Sequence, residues 1–310
     1  MSDDDDQLRR STSHAVFDEF LPYGTAHALR GGIDRHFAEP HKHRVETHQI
    51  WNYWYVPDAY TYLRTSAERV LPFDALRDFS TALQDFAATR LGLTVVNRPL
   101  LSLYVNGCFQ AFHNDSANGR FAFVYSLTRP ERSFTGGETL VWREGDYFSE
   151  QFTKPLSGTG LYESLAPDFN RLVLFDDRMP HAVAPVFGRM DPAEGRLVMH
   201  GHISEGPAWV SGSLTGAAVQ PAIAAGIAAL RAELGPLFAQ FHGPLSLDLV
   251  VDAAGRIDGY GVLLNRLRPI GAQSVTAEQA VAAVLDRLDL MVFPESDGET
   301  EIKFPILFGG

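Results

Sequence analysis

The sequence contains a single cysteine, Cys108, so no disulfide can form within the chain, and nothing in it calls for an oxidising compartment. Cys108 itself is expected as a small packed residue. No apolar run approaches the ~18 residues a membrane-crossing helix requires. The opening Met1-Ser2-Asp3-Asp4-Asp5-Asp6 is the reverse of the basic start of a signal peptide. Basic residues are also scarce: 26 Lys and Arg stand against 38 Asp and Glu, a formal net charge of -12, which argues against nucleic acid as the main partner. These shortages lead to the expectation of a cytoplasmic chain with no nucleic-acid and no membrane partner. What is present, 45% hydrophobic and 21% charged residues over 310 positions, is an ordinary globular composition. The length suits one large domain or two unequal ones; oligomeric state is left open.

Residues 1 to about 14 are acidic and without periodicity, and are expected to be disordered. Ala15 to Tyr55 is aromatic and irregular, with His36, His41, His43 and His48 read as surface or packing histidines. Phe73, Leu76, Phe79, Leu83, Phe86 and Leu91 recur at three- and four-residue steps, which predicts a helix ended by Gly92. The period then falls to two. Val95-Val96, Leu100–Tyr104, Phe121–Leu127, Glu138–Trp142, Arg171–Phe175, Ala182–Val186 and Arg196–Ile203 read as strands separated by Gly, Pro, Asn and Asp. Seven or eight short strands with such turns predict a sandwich or jelly roll.

Gly206 to Val219 is rich in small and turn residues and reads as a linker. Beyond it, Ile223, Ile227, Leu230 and Leu234 form a helical stripe after Pro221, and Leu245 to Val251 alternates before an Asp252–Gly255 turn into a second strand near Tyr260–Leu264. Thr276-Ala277-Glu278-Gln279 is a capping box for a helix to about Leu290, and Ile302–Phe304 is a last strand. The expected organisation is a disordered 1–14, a β domain over 15–210 and a small α+β accessory domain over 220–310.

His113 and Asp115 in Phe112-His113-Asn114-Asp115 are two apart, so on a strand they share a face. His181 follows the apolar segment Arg171–Phe175. Two imidazoles and one carboxylate from neighbouring strands make the facial triad that holds non-haem Fe(II) with open positions. Arg196, fifteen residues beyond His181 on an inner strand, is the fixed cation a dicarboxylate needs. Arg189 is a rival in turn-like sequence.

The order Leu103-Tyr104-Val105-Asn106-Gly107, His113-Asn114-Asp115, Asn118-Gly119-Arg120, Gly136-Gly137-Glu138-Thr139-Leu140, Asn170–Phe175, Pro180–Val186 and Arg196 resembles the Fe(II)/2-oxoglutarate-dependent oxygenases of the prolyl 4-hydroxylase-like subgroup, over roughly residues 70–205. The resemblance implies a mainly β fold with flanking helices, a double-stranded β-helix (jelly roll). It implies His113, Asp115 and His181 as iron ligands and Arg196 as partner of the distal 2-oxoglutarate carboxylate. Tyr104 would hydrogen-bond the co-substrate, with Ser126 as a further hydroxyl there. Arg120 would meet substrate or form a structural salt bridge. His200 and His202 share the strand parity of Arg196, which puts them on the pocket side, His200 as a further substrate contact, or in core or rim packing. The implied cofactors are Fe(II), 2-oxoglutarate and O2, with ascorbate as an aid. Asp115 stands where halogenating relatives carry a small residue, so hydroxylation is favoured.

Gly243–Val251, Gly255–Gly259 and Phe293–Gly298 with Phe304–Phe308 resemble the TonB C-terminal-like module, which implies an edge strand able to pair with an extended peptide. The expected function is hydroxylation of an unactivated C–H on an amino-acid side chain in a peptide or protein. The alternatives are the same chemistry on a small metabolite, or a non-catalytic metal- or peptide-binding adaptor.

Overall fold

The computed structural model describes residues 14–39, 41–115, 118–143, 161–271 and 275–309. The acidic N-terminal stretch expected to be disordered lies outside them up to residue 13; His14 opens the first strand. Packing divides the chain into two units, Thr12–Leu83 with Asn97–His202, and Gln84–Val96 with Ile203–Gly310. No helix among the described residues is long and apolar enough to cross a membrane.

The first unit is built on eight strands: β5 (Leu100–Tyr104), β6 (Phe109–His113), β7 (Phe121–Ser126), β8 (Thr139–Trp142), β9 (Tyr162–Leu165), β10 (Leu172–Asp176), β11 (His181–Val183) and β12 (Arg196–Ser204). They form two antiparallel rows, β10-β7-β12-β5 and β6-β11-β8-β9. First pairs with last, second with seventh, third with sixth and fourth with fifth, so the chain winds as a double ribbon. This is a double-stranded β-helix. β3 (Tyr60–Ser66) joins the rows by pairing with both β5 and β6, and β2 (Asn52–Val56) adds to its outer side. β1 (His14–Phe17) extends the other row beside β10. The strands form because their alternate residues are branched or aromatic, which suits a half-buried pleat; β10 is buried at every position.

Much of the aromatic N-terminal region is regular, contrary to expectation: it holds β1, a helical turn at Val45–His48 and the following elements. β2 and β3 make a hairpin, and helix α1 spans Tyr23–His36. The buried face of α1 is Ala26, Leu29, Arg30, Gly32 and Ile33, too small and polar to register as a hydrophobic stripe. Gly32 is required there, because a Cβ would lie 2.6 Å from Cδ of Pro72. Helix α2 runs Phe73–Phe86 and closes in a π-helical turn, Ala87–Leu91, before Gly92 at φ +66°. Its Phe79 packs against Phe123 and Tyr125 of β7, at ring-centroid distances of 6.2 and 5.0 Å. β9 was not expected, since only Tyr162 and Leu165 at its ends are large and apolar. The Gly136-Gly137 pair takes φ near +78° and +75°, and a Cβ at 136 would meet the Pro185 carbonyl oxygen at 1.9 Å. Only glycine lets the chain enter β8 at this point.

In the second unit, the antiparallel sheet β13-β17-β14-β15 is made of β13 (Trp209–Gly212), β14 (Phe241–Val251), β15 (Ile257–Asn265) and β17 (Thr300–Phe308). Ile203 and Ser204, the end of β12, pair with β4 (Val95–Val96), and β16 (Arg268–Pro269) adds to the start of β14. Helices α3 (Gly216–Glu233) and α4 (Ala277–Leu285) cover the sheet through Val219, Ile223, Leu230, Ala280 and Val284. The stretch read as a linker is therefore structured. Trp209 to Gly212 pair with Lys303 to Thr300, and Thr215 caps α3 by accepting from the Ala218 N–H. The helix begins before Pro221, not after it. The Thr276–Gln279 capping box is formed, but its helix stops at Leu285 rather than near Leu290.

Candidate metal centre and its cavity

His113 ends β6 and His181 begins β11, and the two are direct partners across the antiparallel ladder. Residues 68 positions apart are thus neighbours, with ring centroids 4.2 Å apart. Asp115 follows in the loop, where its N–H donates to the Asp177 carbonyl (2.9 Å) and its own carbonyl accepts from Asn118 N–H (2.7 Å). One Asp115 carboxylate oxygen lies 3.3 Å from His181 Nε2. The three side chains each offer a ligand atom within 4.8 Å of the others.

The orientation of the imidazoles is fixed from behind. His113 Nδ1 lies 2.9 Å from the Ala111 carbonyl and His181 Nδ1 lies 3.0 Å from that of Met179. A carbonyl only accepts, so Nδ1 carries the proton and Nε2 keeps its lone pair for the cavity. Burial and the neighbouring His181 hold the pKa of His113 below the usual imidazole value, which favours the neutral ligand form. Burial pushes the Asp115 carboxyl up, but the His181 ring against it, with His113 and His202 nearby, outweighs this and leaves its pKa at about 2. The donor set is two neutral nitrogens and one anionic oxygen, which suits a divalent first-row metal.

These residues line a cavity of about 270 Å³ together with Arg196, Tyr104 and Thr139. Arg196 is only 1% exposed. Its Nη2 donates to Thr139 Oγ1 at 3.0 Å and its Cζ stands 4.7 Å over the Tyr104 ring. Nε and Nη1 have no hydrogen-bond partner among the described residues. Buried N–H groups without partners are costly, more so on a cation, and a carboxylate seated there would satisfy them. Burial accordingly lowers the pKa of Arg196. Arg189, the rival cation, is exposed and outside the cavity lining.

The other expected residues divide. His200 and His202 line the cavity, with His200 Nε2 2.8 Å from Ser102 Oγ and His202 Nδ1 3.1 Å from the buried Asp177 carboxylate. Ser126 and Arg120 are not among the lining residues. Ser126 shares the parity of Ala122 and Val124 but sits beyond the end of the cavity. Its hydroxyl donates to the Pro167 carbonyl (2.9 Å) and accepts from Thr128 N–H (3.2 Å). Tyr125 faces away, donating to Asn170 Oδ1 at 2.7 Å.

Sequence reasoning missed Gln110, whose amide lies 3.0 Å from His113 Nε2 and whose Oε1 accepts from the Tyr104 hydroxyl at 3.3 Å. Gln110 and His113 are three apart and would face opposite sides of a regular strand. An extra residue in β6 relative to β11 at this point brings both to the cavity. Thr139 and Asp177 were missed as well; a strand threonine and a turn aspartate carry no signal of their own.

Residues 100–203 match the family model described as the 2OG-Fe(II) oxygenase superfamily. The matched stretch is an Fe(II)- and 2-oxoglutarate-dependent dioxygenase domain, and its cofactors are Fe(II), 2-oxoglutarate and O2. Among curated proteins no sequence matches. Among solved structures, a Trichoplax adhaerens prolyl hydroxylase in complex with a hypoxia inducible factor peptide fragment aligns at 16% identity and TM-score 0.46, over 64% of this chain and 85% of that one. A Pseudomonas putida prolyl-4-hydroxylase aligns at 19% identity and TM-score 0.46, over 66% and 97%. The epimerase SnoN from nogalamycin biosynthesis aligns at 16% identity and TM-score 0.42, over 63% and 77%.

Proposed function

We propose that the oxygenase domain hydroxylates an amino-acid side chain in a peptide or protein, in the manner of the prolyl 4-hydroxylase-like subgroup. The observation that carries this reading is one cavity lined both by the His113, Asp115 and His181 donors and by the Arg196 guanidinium, whose Nε and Nη1 have no partner among the described residues. His113, Asp115 and His181 would hold Fe(II). Arg196, with Thr139 and Tyr104 beside it, would grip the distal carboxylate of 2-oxoglutarate. The bound metal and co-substrate with O2 supply the oxidising power to break an unactivated C–H bond. The chain's own part is to hold His113 and His181 by their Nδ1 protons, keep Asp115 ionised and bury the co-substrate's far end away from water. Ser126 and Arg120 have no place in it, because neither lines the cavity.

The test is anaerobic addition of Fe(II) and 2-oxoglutarate to the full chain, read by visible absorption, followed by turnover with proline-containing peptides in air. A metal-to-ligand charge-transfer band and oxidised peptide are the expected results. A protein that is folded and shows no band would leave a metal- or peptide-binding adaptor as the better description.

We read the C-terminal unit as an accessory module of the TonB C-terminal-like kind. Among the described residues its sheet ends in β15, paired on one side only, to β14, and such an edge accepts an extended peptide by strand addition. Slower amide hydrogen exchange along Ile257–Asn265 when a peptide substrate is added is the expected sign. Unchanged exchange at saturating peptide would exclude pairing there.

A further inference from the structure

The cavity holds a second guanidinium that the proposed chemistry does not use. Arg64 of β3 lines it together with Trp54, Tyr60 and Tyr62 of the same hairpin. Its Cζ sits 3.6 Å over the Trp54 ring. Trp54 stacks on Tyr62 (centroids 6.5 Å apart, 17° between planes), Tyr62 stacks on Tyr104 (5.1 Å, 15°), and Arg196 lies over Tyr104. Three rings thus run along one wall with a guanidinium at each end. Arg196 closes the buried end; Trp54, 37% exposed, marks the open end.

The Arg64 side chain has no hydrogen bond or ion pair among the described residues. A cation held only by an aromatic face is positioned, but its N–H groups remain available. The cavity's charges make the same point. A divalent metal and the dianionic co-substrate balance when Asp115 and Arg196 are counted with them. Asp177 pairs with His202, and His200 is held neutral at pH 7 by burial and by the nearby Arg64 charge, its pKa pushed down to about 3. Arg64 is the charge left over.

We infer that Arg64, braced on Trp54, anchors an anionic group of the primary substrate, a carboxylate carried by an amino acid or a peptide, and so sets substrate specificity. This rests on the function proposed above and deepens it. Tyr62 and Tyr60 would then flank the segment of substrate between the anchor and the reacting carbon.

The test uses matched acid and amide probes titrated anaerobically into the full chain loaded with Fe(II) and 2-oxoglutarate, with binding read by calorimetry or ligand-observed NMR. One pair is N-acetylproline and its amide, for a terminal carboxylate; the other is blocked Pro-Glu and blocked Pro-Gln, for a side-chain carboxylate. At least one pair should show the acid binding about tenfold or more tightly, the effect of one partly desolvated ion pair. In Arg64→Gln that preference should fall to about twofold or less, with the charge-transfer band unchanged. Trp54→Leu, which keeps the cation but removes its support, should lose part of the preference. Which pair discriminates identifies the source of the carboxylate.

Equal binding of acid and amide in both pairs, or no binding of any probe, would overturn the assignment. So would a preference that survives Arg64→Gln. Loss of the charge-transfer band in Arg64→Gln would place Arg64 on the co-substrate instead. Absence of the band in the unaltered chain would sink the oxygenase site assignment itself, whereas the acid-to-amide ratio measured without metal would still report on Arg64.

Discussion

Replacing His181 with alanine is expected to abolish the charge-transfer band formed with Fe(II) and 2-oxoglutarate, and to weaken Fe(II) binding by more than ~100-fold. Loss of a mere outer-shell partner costs 10- to 100-fold, and removal of a ligand should exceed it. His181 is the most buried of the three donors, at 7% exposure, and its Nε2 lies 3.3 Å from an Asp115 carboxylate oxygen. Its loss therefore removes one donor and loosens a second. The ring also packs against Phe175, with centroids 4.5 Å apart, so alanine leaves a small void costing on the order of 1–3 kcal/mol. His181→Gln fills most of that void and separates the two effects. Both variants should lose the band while circular dichroism shows a folded chain. A band of unaltered intensity in either would mean that another group holds the metal.

The second large effect is expected at Arg196. Arg196→Met should raise the dissociation constant for 2-oxoglutarate by roughly 100-fold or more, since each hydrogen bond between ionised partners contributes about 1.5–3 kcal/mol. Fe(II) binding, which does not involve this residue, should be preserved. Stability should move the other way. In the protein without co-substrate, Arg196 is a buried cation with two nitrogens unpaired among the described residues, and replacing buried charge with an apolar side chain is often neutral or stabilising by about 1–4 kcal/mol. The thermal midpoint of Arg196→Met without co-substrate should therefore equal or exceed that of the unaltered chain. Added 2-oxoglutarate should stabilise the unaltered chain by about 2.7 kcal/mol at a hundredfold excess over its dissociation constant, and should leave the variant unmoved. A variant that retained normal 2-oxoglutarate affinity would remove Arg196 from the site. One that was markedly less stable without co-substrate would show that Arg196 is a structural residue.

The two predictions draw on different kinds of information. His113, Asp115 and His181 could be picked out from residue type, spacing and the strands around them, although Asp115 lies in the loop after β6 rather than on the strand that parity assumed. The cavity's other half could not. Thr139 and Gln110 matter only because β8 and the extra residue in β6 bring them beside Arg196 and His113. Ser126 shows the converse: its strand parity was right, but the cavity ends before it, and a nearby carbonyl takes its hydroxyl. Parity tells which face a side chain takes, not how far along the strand a cavity extends.

The same division runs through the fold. By itself the sequence determined the β character of residues 95–203, the helix after Phe73, the capped helix at Thr276 and the histidine–carboxylate donors, all of which depend on neighbours within a few positions. Helix α1 escaped detection because its buried face is small, and Gly32 is explained only by Pro72 lying against it. β13 read as a linker because its pairing partner, β17, lies about 90 residues later in the chain. Tertiary structure alone decided that His113 and His181 face each other, that Arg196 is buried with N–H groups unpaired among the described residues, and that Arg64 and Trp54 line the same cavity as both. Those relations join residues scores of positions apart through backbone hydrogen bonds between strands. The pairing that brings them together is set by how the whole sheet curls, which no short stretch of sequence encodes.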